Sequence, residues 1–271
     1  MISLNSKNIL RALNYLLIRY CFKKKLLISY SSFLNAYLKC YVEDVLGRHL
    51  YKYGIHEGEN SKFLLGNLKL NEKDIAIDIG ANLGWYSVLL NRVSKYGSSI
   101  FAFEPDPNNF DLLEFNLAKN NCSNVHAFNK AVSDKNQTLS LYKYPEKNLG
   151  RHTLLPQEDA EKIDVSTVCL DDFLDADRHS KVKFIKIDIE GYEFYALRGA
   201  RNILKNCPMV MMEFSPELYP EASHASELVH FMGNLGFVPN LLRQGNLVEI
   251  DLDSLICETR QLDVFWIKRL S

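Results

Sequence analysis

The stretch Ile77-Asp78-Ile79-Gly80-Ala81-Asn82-Leu83-Gly84 decides the fold of this 271-residue chain. The apolar run that enters it, residues 75–79, predicts a buried strand, and apolar side chains recur at helical spacing from residue 85. Gly80 and Gly84 allow a sharp turn between the two elements and a close approach of the backbone to a ligand. Because open α/β sheets bind ligands at the carboxyl ends of their strands, this turn is a candidate ligand site. A glycine turn that binds nothing is the alternative.

The residues of this turn bear on which ligand it would hold. A dinucleotide-binding turn needs G-x-G-x-x-G so that a pyrophosphate can sit on the helix N-terminus, whereas here Asn82 lies between Gly80 and Gly84. Asp78 is poorly placed for phosphates and well placed for an ammonium group. S-adenosylmethionine carries an ammonium and a sulfonium, so the turn favours this cofactor over a nicotinamide dinucleotide. We predict that Asp78, Gly80, Asn82 and Gly84 bind the cofactor.

A carboxylate follows the next predicted strand, residues 99–103. Glu104 lies roughly twenty residues after the glycine turn, where an acidic side chain can accept hydrogen bonds from both ribose hydroxyls of an adenosine. Both candidate cofactors contain an adenosine, so Glu104 predicts a nucleoside ligand without separating the two. A solvated carboxylate at a strand end is the alternative.

Strands and helices alternate beyond this region, which predicts a parallel sheet covered on both faces. The predicted strands cover residues 125–132, 164–170, 182–189, 209–214, 237–242 and 264–268, with an edge strand at 138–144. The predicted helices cover residues 85–93, 108–119, 192–205 and 225–235, and residues 145–161 form a polar loop. The fold class is therefore a doubly wound α/β sheet.

Three ionisable residues alternate along the strand 182–189 and the turn after it. Lys186, Asp188 and Glu190 fall on one face, opposite the isoleucines, where unpaired charges would be costly. Their opposite signs predict mutual pairing, and a carboxylate here could act as a general base on a substrate hydroxyl. All three are catalytic candidates, with a structural ion pair as the alternative. Glu193 suits the N-terminus of the following helix.

Two further groups of polar residues could serve a site. Glu213 closes the strand 209–214, and if that strand neighbours 182–189, Glu213 and Asp188 would lie close enough to bind a divalent cation. The pattern permits a metal but does not require one. In the polar loop, Arg151 and His152 are candidate substrate contacts, although a lone histidine is more often incidental.

Residues 1–60 are predicted to form a helical extension ahead of a main domain at 61–271. Apolar side chains recur at helical spacing from Ile9 to Tyr20, and residues 33–45 predict a second helix, joined to the first near residues 28–32. We expect a helical cap packed on the main domain. A basic amphipathic segment that makes peripheral contact with a membrane, and a dimerisation element, are the alternatives.

Composition narrows the class of protein. With 47% hydrophobic and 24% charged residues and a net charge of −1, the chain can form a full core and lacks the basic excess typical of nucleic-acid binding. None of the six cysteines forms a C-x-x-C pair, so the sequence supports neither a disulfide framework nor a zinc site. With no convincing secretory signal or membrane-spanning run, a cytoplasmic location is expected.

Four stretches, in order and spacing, resemble the signature motifs of FkbM-type methyltransferases. They are residues 77–87, 103–110, 131–134 and 186–193, and the resemblance covers roughly 61–240. It implies a class I methyltransferase (Rossmann-like) fold, with a mostly parallel seven-stranded sheet whose last strand is antiparallel. It also implies that Asp78, Gly80 and Gly84 surround the methionine part of S-adenosylmethionine. Glu104 would bind the ribose, Ala131 and Val132 would border the adenine, and Asp188 would face the reactive methyl.

The sequence therefore predicts an S-adenosylmethionine-dependent methyltransferase, with the resemblance implying transfer to a hydroxyl of a sugar, a glycan or a secondary metabolite. Most of the rate would come from holding the two reactants in line. Two other classes stay open: a nicotinamide-dependent oxidoreductase on a similar sheet, and a non-catalytic membrane-surface adaptor that uses the basic N-terminus.

Overall fold

The computed structural model describes residues 6–143, 152–158, 160–219 and 222–269. Its N-terminal region contains helices and a pair of strands. They are α1 (Ser6–Leu16), a π-helical turn (Leu17–Cys21), β1 (Leu26–Ser31), β2 (Ala36–Tyr41), α2 (Val45–Tyr53) and α3 (Gly58–Asn67). The first predicted helix is confirmed by α1. The second is wrong, because β1 and β2 pair as an antiparallel hairpin where a linker and a helix were expected.

Burial explains the hairpin. Side chains along β1 and β2 alternate between buried and more exposed positions, so that Leu27, Leu38 and Cys40 point inward. A repeat of two residues is the period of a strand, whereas a helix face repeats about every 3.6 residues. The hairpin buries one face against the rest of the protein, as a two-stranded unit must to be stable.

The central region from residue 75 to 143 begins with alternating strands and helices. Its elements are β3 (Ile75–Ile79), α4 (Trp85–Val93), β4 (Ser99–Phe103), α5 (Pro107–Lys119), β5 (Val125–Phe128), β6 (Ala131–Val132) and β7 (Thr138–Lys143). The predicted strand 125–132 is thus two strands. The break lies where the Asn129 side chain donates hydrogen bonds to the carbonyls of Glu104 and Pro105.

The remaining elements complete the fold. They are β8 (Glu161–Val168), α6 (Leu170–Phe173), α7 (Ala176–His179), β9 (Val182–Ile187), α8 (Glu193–Arg198), α9 (Arg201–Leu204), β10 (Met209–Phe214), a 3₁₀ turn (Pro216–Leu218), α10 (Ala222–Asn234), β11 (Phe237–Arg243), β12 (Asn246–Glu249), α11 (Leu252–Ile256) and β13 (Leu262–Lys268). The predicted helix 192–205 is interrupted at Gly199, where a Cβ would lie 2.0 Å from the carbonyl oxygen of Ser133.

The main sheet has the order β12-β11-β13-β10-β9-β3-β4-β5. Strands β5, β4, β3, β9 and β10 run parallel, while β13 is antiparallel to both of its neighbours, β10 and β11. The structure therefore has the doubly wound class I arrangement with an antiparallel last strand, as expected. The expected count of seven strands is wrong by one, because β12 forms a hairpin with β11 and adds an eighth strand.

A separate small sheet of order β6-β8-β7 lies beside the main one. The predicted edge strand 138–144 and the predicted strand 164–170 correspond to β7 and β8, but both belong to this sheet. Residues 145–151 and 159 of the predicted polar loop, and residue 144 of the predicted edge strand, lie outside the described residues. The boundary at residue 60 between an extension and a main domain stays a prediction.

Strand β3 runs through the centre of the core, and all five of its residues are buried. Ile75, Ile77 and Ile79 belong to one apolar cluster, which reaches to β9, β10 and α10, whereas Ala76 belongs to the second cluster, with α4 and the N-terminal elements. Each fully buried isoleucine contributes roughly 1.5–3 kcal/mol. A polar residue in this strand, Asp78, therefore requires specific partners.

Candidate active site

A cleft opens at the carboxyl ends of β3, β4 and β9. It encloses about 580 Å³ of space between protein atoms, part of which is open to solvent. A second cavity of about 310 Å³, lined mainly by apolar residues, shares Gly80, Pro105, His152 and Ile189 with it. The residues that line the larger cleft are Leu46, His56, Gly80, Ala81, Asn82, Trp85, Tyr86, Glu104, Pro105, Asn109, His152, Lys186, Asp188 and Ile189.

The glycine turn forms one wall of the cleft. Gly80 has φ +76°, and a Cβ at this position would lie 1.9 Å from the carbonyl oxygen of Asp188. Gly84 has φ +93° and begins α4, with Leu113 Cδ1 2.7 Å from the position of its missing Cβ. Asn82 also adopts a left-handed conformation, φ +50°. Both glycines are thus required by conformation and by space. Gly80 and Asn82 line the cleft, and their binding of a cofactor stays a prediction.

Asp78 lies behind this wall and has no exposed surface. Its Oδ2 accepts a hydrogen bond of 2.6 Å from the Ser87 hydroxyl, whereas its Oδ1 has no partner in the described structure. Burial raises the pKa of Asp78, although the positive charge of Lys186 opposes the shift. The direct contact predicted between Asp78 and a ligand ammonium stays a prediction, since Asp78 does not line the cleft.

Glu104 follows β4 directly, and its side chain contacts the glycine turn that follows β3. Its Oε2 accepts the backbone N–H of Asn82 at 2.8 Å, and its Oε1 accepts the N–H of Asp106 at 2.9 Å. Burial raises the pKa of Glu104 to about 8, against the effect of these two hydrogen bonds. A carboxylate fixed in this way has further lone pairs that can accept ligand hydroxyls.

The smaller cavity lies beside Glu104 and has an apolar lining. Ala131 and Val132, the residues expected to border an adenine, are both part of it. Phe103, Leu141 and Leu154 complete much of its lining. The shared walls of the two cavities make one elongated site, polar at the glycine turn and apolar beyond Glu104.

Lys186 and Asp188 form an ion pair next to the glycine turn. Lys186 Nζ donates to Asp188 Oδ2 at 3.0 Å and lies 5.1 Å from the centre of the Tyr86 ring. Burial by itself lowers the pKa of Lys186, but the charges of Asp188, Asp78 and Glu57 outweigh it and raise the pKa. The predicted pairing is confirmed. Asp188 is the more exposed partner, with 26% of its side chain accessible.

Glu190 and Glu213 approach Asp188 on its other side. The nearest carboxylate oxygens of the three residues lie within 4.8 Å of one another, so the predicted proximity of Asp188 and Glu213 is confirmed. Glu190 reaches the group through a left-handed turn, φ +52°, because β9 ends at Ile187. Burial, then the charges of Asp188 and Glu190, raise the pKa of Glu213 to about 9. A proton on Glu213 or a divalent cation would relieve this repulsion, and a bound metal stays a prediction.

Comparison with known proteins identifies the family. The family model described as the methyltransferase FkbM domain matches residues 78–239, which is more than half of the chain. The chain belongs to the FkbM methyltransferase family. The resemblance of the four sequence motifs is thereby confirmed.

Two curated relatives and one solved structure show how far the similarity extends. Hexuronic acid methyltransferase AglP of Haloferax volcanii is 24% identical over 164 residues, which are 60% of this chain and 65% of AglP. Methyltransferase sdnD of Sordaria araneosa is 33% identical over 156 residues, which are 45% of this chain and 59% of sdnD. The chain thus spans less than two thirds of the length of either relative. The crystal structure of methyltransferase FkbM from Methylobacillus flagellatus KT aligns with a TM-score of 0.46 at 18% identity, covering 74% of this chain and 45% of that one.

This FkbM-family site contains residues that the sequence analysis missed. His56 lines the cleft, and its Nε2 lies 3.0 Å from Oε1 of Glu57. Glu57 Oε2 accepts hydrogen bonds from the Tyr86 hydroxyl and from Asn60. Burial would raise the pKa of Glu57, but the hydrogen bond and charge of His56, the charge of Lys186 and the hydrogen bond of Tyr86 lower it to about 2.

Glu57 also has an unusual backbone conformation, φ +41°, at the start of α3. A non-glycine residue in this region costs free energy and persists where surrounding contacts enforce it. The only local signal was an acidic residue immediately before a glycine and a short helix. Two of the groups that act on Glu57, Tyr86 and Lys186, come from the distant α4 and β9.

His152 is the one described member of the predicted Arg151–His152 pair, because Arg151 lies outside the described residues. It lines both cavities, with Nε2 3.9 Å from Oδ2 of Asp106. Burial lowers the pKa of His152, in spite of the nearby carboxylate. Glu193 begins α8 as predicted, and its Oε1 accepts the N–H groups of Ile189 and Gly191.

Proposed function

We propose that this protein transfers a methyl group from S-adenosylmethionine to a hydroxyl oxygen of a sugar or glycan. The elongated site carries this proposal: a glycine turn, a carboxylate held at the end of β4 and an apolar cavity follow one another in the order of methionine, ribose and adenine. Membership of the FkbM methyltransferase family supports it. A secondary-metabolite hydroxyl is the second acceptor class, and the predicted cytoplasmic location remains a prediction.

The residues present fit this cofactor. Asp78 keeps one buried carboxylate oxygen without a partner among the described residues, and a Cβ on Gly80 would push against the backbone of Asp188, which lines the cleft. Glu104 would accept hydrogen bonds from the ribose, and Ala131 and Val132 would border the adenine. When bound, S-adenosylmethionine supplies a methyl group activated by a sulfonium. The turn that includes Asn82 and Gly84 would hold the methionine part.

The protein's own contribution to the reaction would be positioning and proton acceptance. Lys186 holds one oxygen of Asp188, and the other oxygen can accept the proton of an acceptor hydroxyl. The ion pair keeps this carboxylate oriented toward the cleft, with Glu190 beside it. His56 is a second polar group that lines the cleft, and Glu57 holds its ring in place. Proton acceptance of this kind contributes roughly 100- to 10,000-fold to a rate.

The acceptor class is supported by one relative. The printed name of AglP describes a hexuronic acid methyltransferase, and a sugar acid offers several hydroxyls to a methyl donor. We therefore propose a panel of neutral sugars, uronic acids and glycans as acceptors, with transfer measured by release of S-adenosylhomocysteine.

Calorimetry and an activity assay test the proposal together. We expect S-adenosylhomocysteine to bind the wild type and Asp188→Asn alike, whereas Asp188→Asn should lose at least about 100-fold in turnover. His56→Gln measured in parallel shows whether the imidazole contributes to turnover. The matched control is Asp253→Asn, an exposed aspartate of α11, which should behave as wild type. Full turnover in Asp188→Asn would refute its role.

The two other functions predicted from the sequence are outcomes of the same measurements. Tight binding of a nicotinamide dinucleotide without binding of S-adenosylhomocysteine would replace methyl transfer by an oxidoreductase function. Failure to bind either cofactor would leave the non-catalytic membrane-surface adaptor.

A further inference from the structure

The N-terminal helix turns its apolar side toward solvent. Leu10, Leu13, Leu17 and Tyr20 are 70%, 55%, 50% and 63% exposed. They recur at spacings of three and four residues across α1 and the π-helical turn, so they lie on one face. Leu16 and Phe22 extend the same exposed region. We call these six residues the apolar face of α1.

The described side chains on the other side of the helix contact the protein. Tyr15 is buried, its hydroxyl donates to the carbonyl of Val42, and Ile18 packs against the same apolar cluster. The Asn14 amide donates to the Tyr51 hydroxyl at 2.7 Å, and Arg19 lies 3.7 Å from Glu43. A helix that serves only as a cap on a core buries its apolar side chains. Here a second set of apolar side chains stays exposed, which indicates a partner for the exposed face.

The chemistry beside this face identifies the partner. Lys23, Lys24 and Lys25 follow the π-helical turn directly, and all three are exposed. An apolar helix face next to a cluster of cations is complementary to a bilayer surface that contains anionic lipids. We propose that the apolar face of α1 docks on an anionic lipid surface, with the three lysines at the level of the headgroups.

Charge favours a lipid surface over a second copy of the chain. A second copy carries the same lysine cluster and brings no opposite charge to it. A surface of anionic lipids supplies that opposite charge. Within the described residues, no helix is long and apolar enough to cross a membrane.

Vesicle co-sedimentation of the full chain tests this proposal. Wild type should bind vesicles of phosphatidylcholine mixed with phosphatidylglycerol, and the binding should weaken as salt is raised. The triple variant Lys23→Ala, Lys24→Ala, Lys25→Ala should bind about 100-fold more weakly, since each lysine near an anionic surface contributes about fivefold. Leu13→Asp with Leu17→Asp should abolish binding, because carboxylates would replace two exposed leucines of the face.

Two control variants separate vesicle binding through the apolar face of α1 from non-specific binding by other exposed side chains. Tyr96→Asp removes an aromatic side chain that is 99% exposed elsewhere, and alanines at the exposed Lys69, Lys135 and Lys162 remove the same charge as the triple variant. Both controls should bind vesicles as wild type does. Absence of wild-type binding, or equal loss in the controls, overturns the proposal. The proposal is also overturned if the wild type forms a dimer and binds no vesicles, and if Leu13→Asp with Leu17→Asp dissociates that dimer. A second copy of the chain would then cover the apolar face of α1.

Discussion

Replacing Gly80 by alanine should damage both the fold and the cofactor site. The new Cβ would lie 1.9 Å from the carbonyl oxygen of Asp188, a distance that requires a movement of about 1 Å. Left-handed backbone, φ +76°, costs a residue with a side chain roughly 1–2 kcal/mol, and overpacking adds roughly 1–3 kcal/mol. We expect a loss of about 2–5 kcal/mol, or a melting temperature lower by about 5–15 °C.

Two other glycines separate the components of this effect. Gly245 has φ +81° with nothing within 4 Å of its missing Cβ, so Gly245→Ala should show the backbone cost alone. Gly66 in α3 has no close neighbour and an ordinary φ, so Gly66→Ala should leave stability unchanged or slightly raised.

Thermal unfolding and titration with S-adenosylhomocysteine measure the two consequences. Gly80→Ala should also weaken binding at least tenfold, because Gly80 and the displaced Asp188 both line the cleft. If Gly80→Ala melts like Gly245→Ala and binds like wild type, the close approach of the turn to β9 is not what requires a glycine there.

Two more substitutions test the buried carboxylates. Ser87→Ala removes the hydrogen bond that the Ser87 hydroxyl donates to Asp78 Oδ2. It should lower the free energy of unfolding in urea by about 1.5–3 kcal/mol. A loss under about 0.5 kcal/mol would mean that Asp78 is protonated or hydrated. The pKa of Glu213 is raised to about 9 in the folded state. Between the ordinary glutamate pKa and pH 9, the folded state therefore binds a proton on Glu213 that the unfolded state has released. The stability penalty therefore grows as pH rises toward 9, so Glu213→Gln should match wild type near pH 5 and exceed it in melting temperature near pH 9. Equal melting temperatures at both values, or an advantage of wild type that appears with added Mg²⁺, would instead indicate that a cation balances the three carboxylates.

The parts of the fold that the sequence predicts are those set by local patterns. A local pattern predicts both the strand 75–79 and the turn at Gly80 and Gly84. The structure has β3 at residues 75–79 and left-handed backbone at both glycines. The segment of β2 predicts a helix and that of β1 a linker, although the residues alternate, because apolar residues such as Leu34 and Val42 just outside β2 also fit a helical repeat.

Distant contacts decided that hairpin. The backbone N–H groups of Tyr37 and Lys39 on β2 donate to the side-chain oxygens of Asn120 and Asn116, at 2.8 Å and 2.6 Å. Asn116 belongs to α5 and Asn120 ends it, some eighty residues away in sequence. These amides satisfy the outer edge of β2 as a further strand would, which no local reading of residues 26–41 could reveal.

The lack of a local sequence signal also explains why His56 and Glu57 were not predicted. Motif residues such as Glu104 and Asp188 were found because each ends a recognisable strand. Glu57 precedes a short helix and has no motif of its own, yet the charges of Glu57, Asp78 and Asp188 together keep the buried Lys186 protonated. Removing Glu57 would therefore unbalance the ion pair that orients the proposed proton acceptor. The N-terminal region therefore contributes to the proposed site. His56 lines the cleft, and Glu57 supplies one of the charges that act on Lys186.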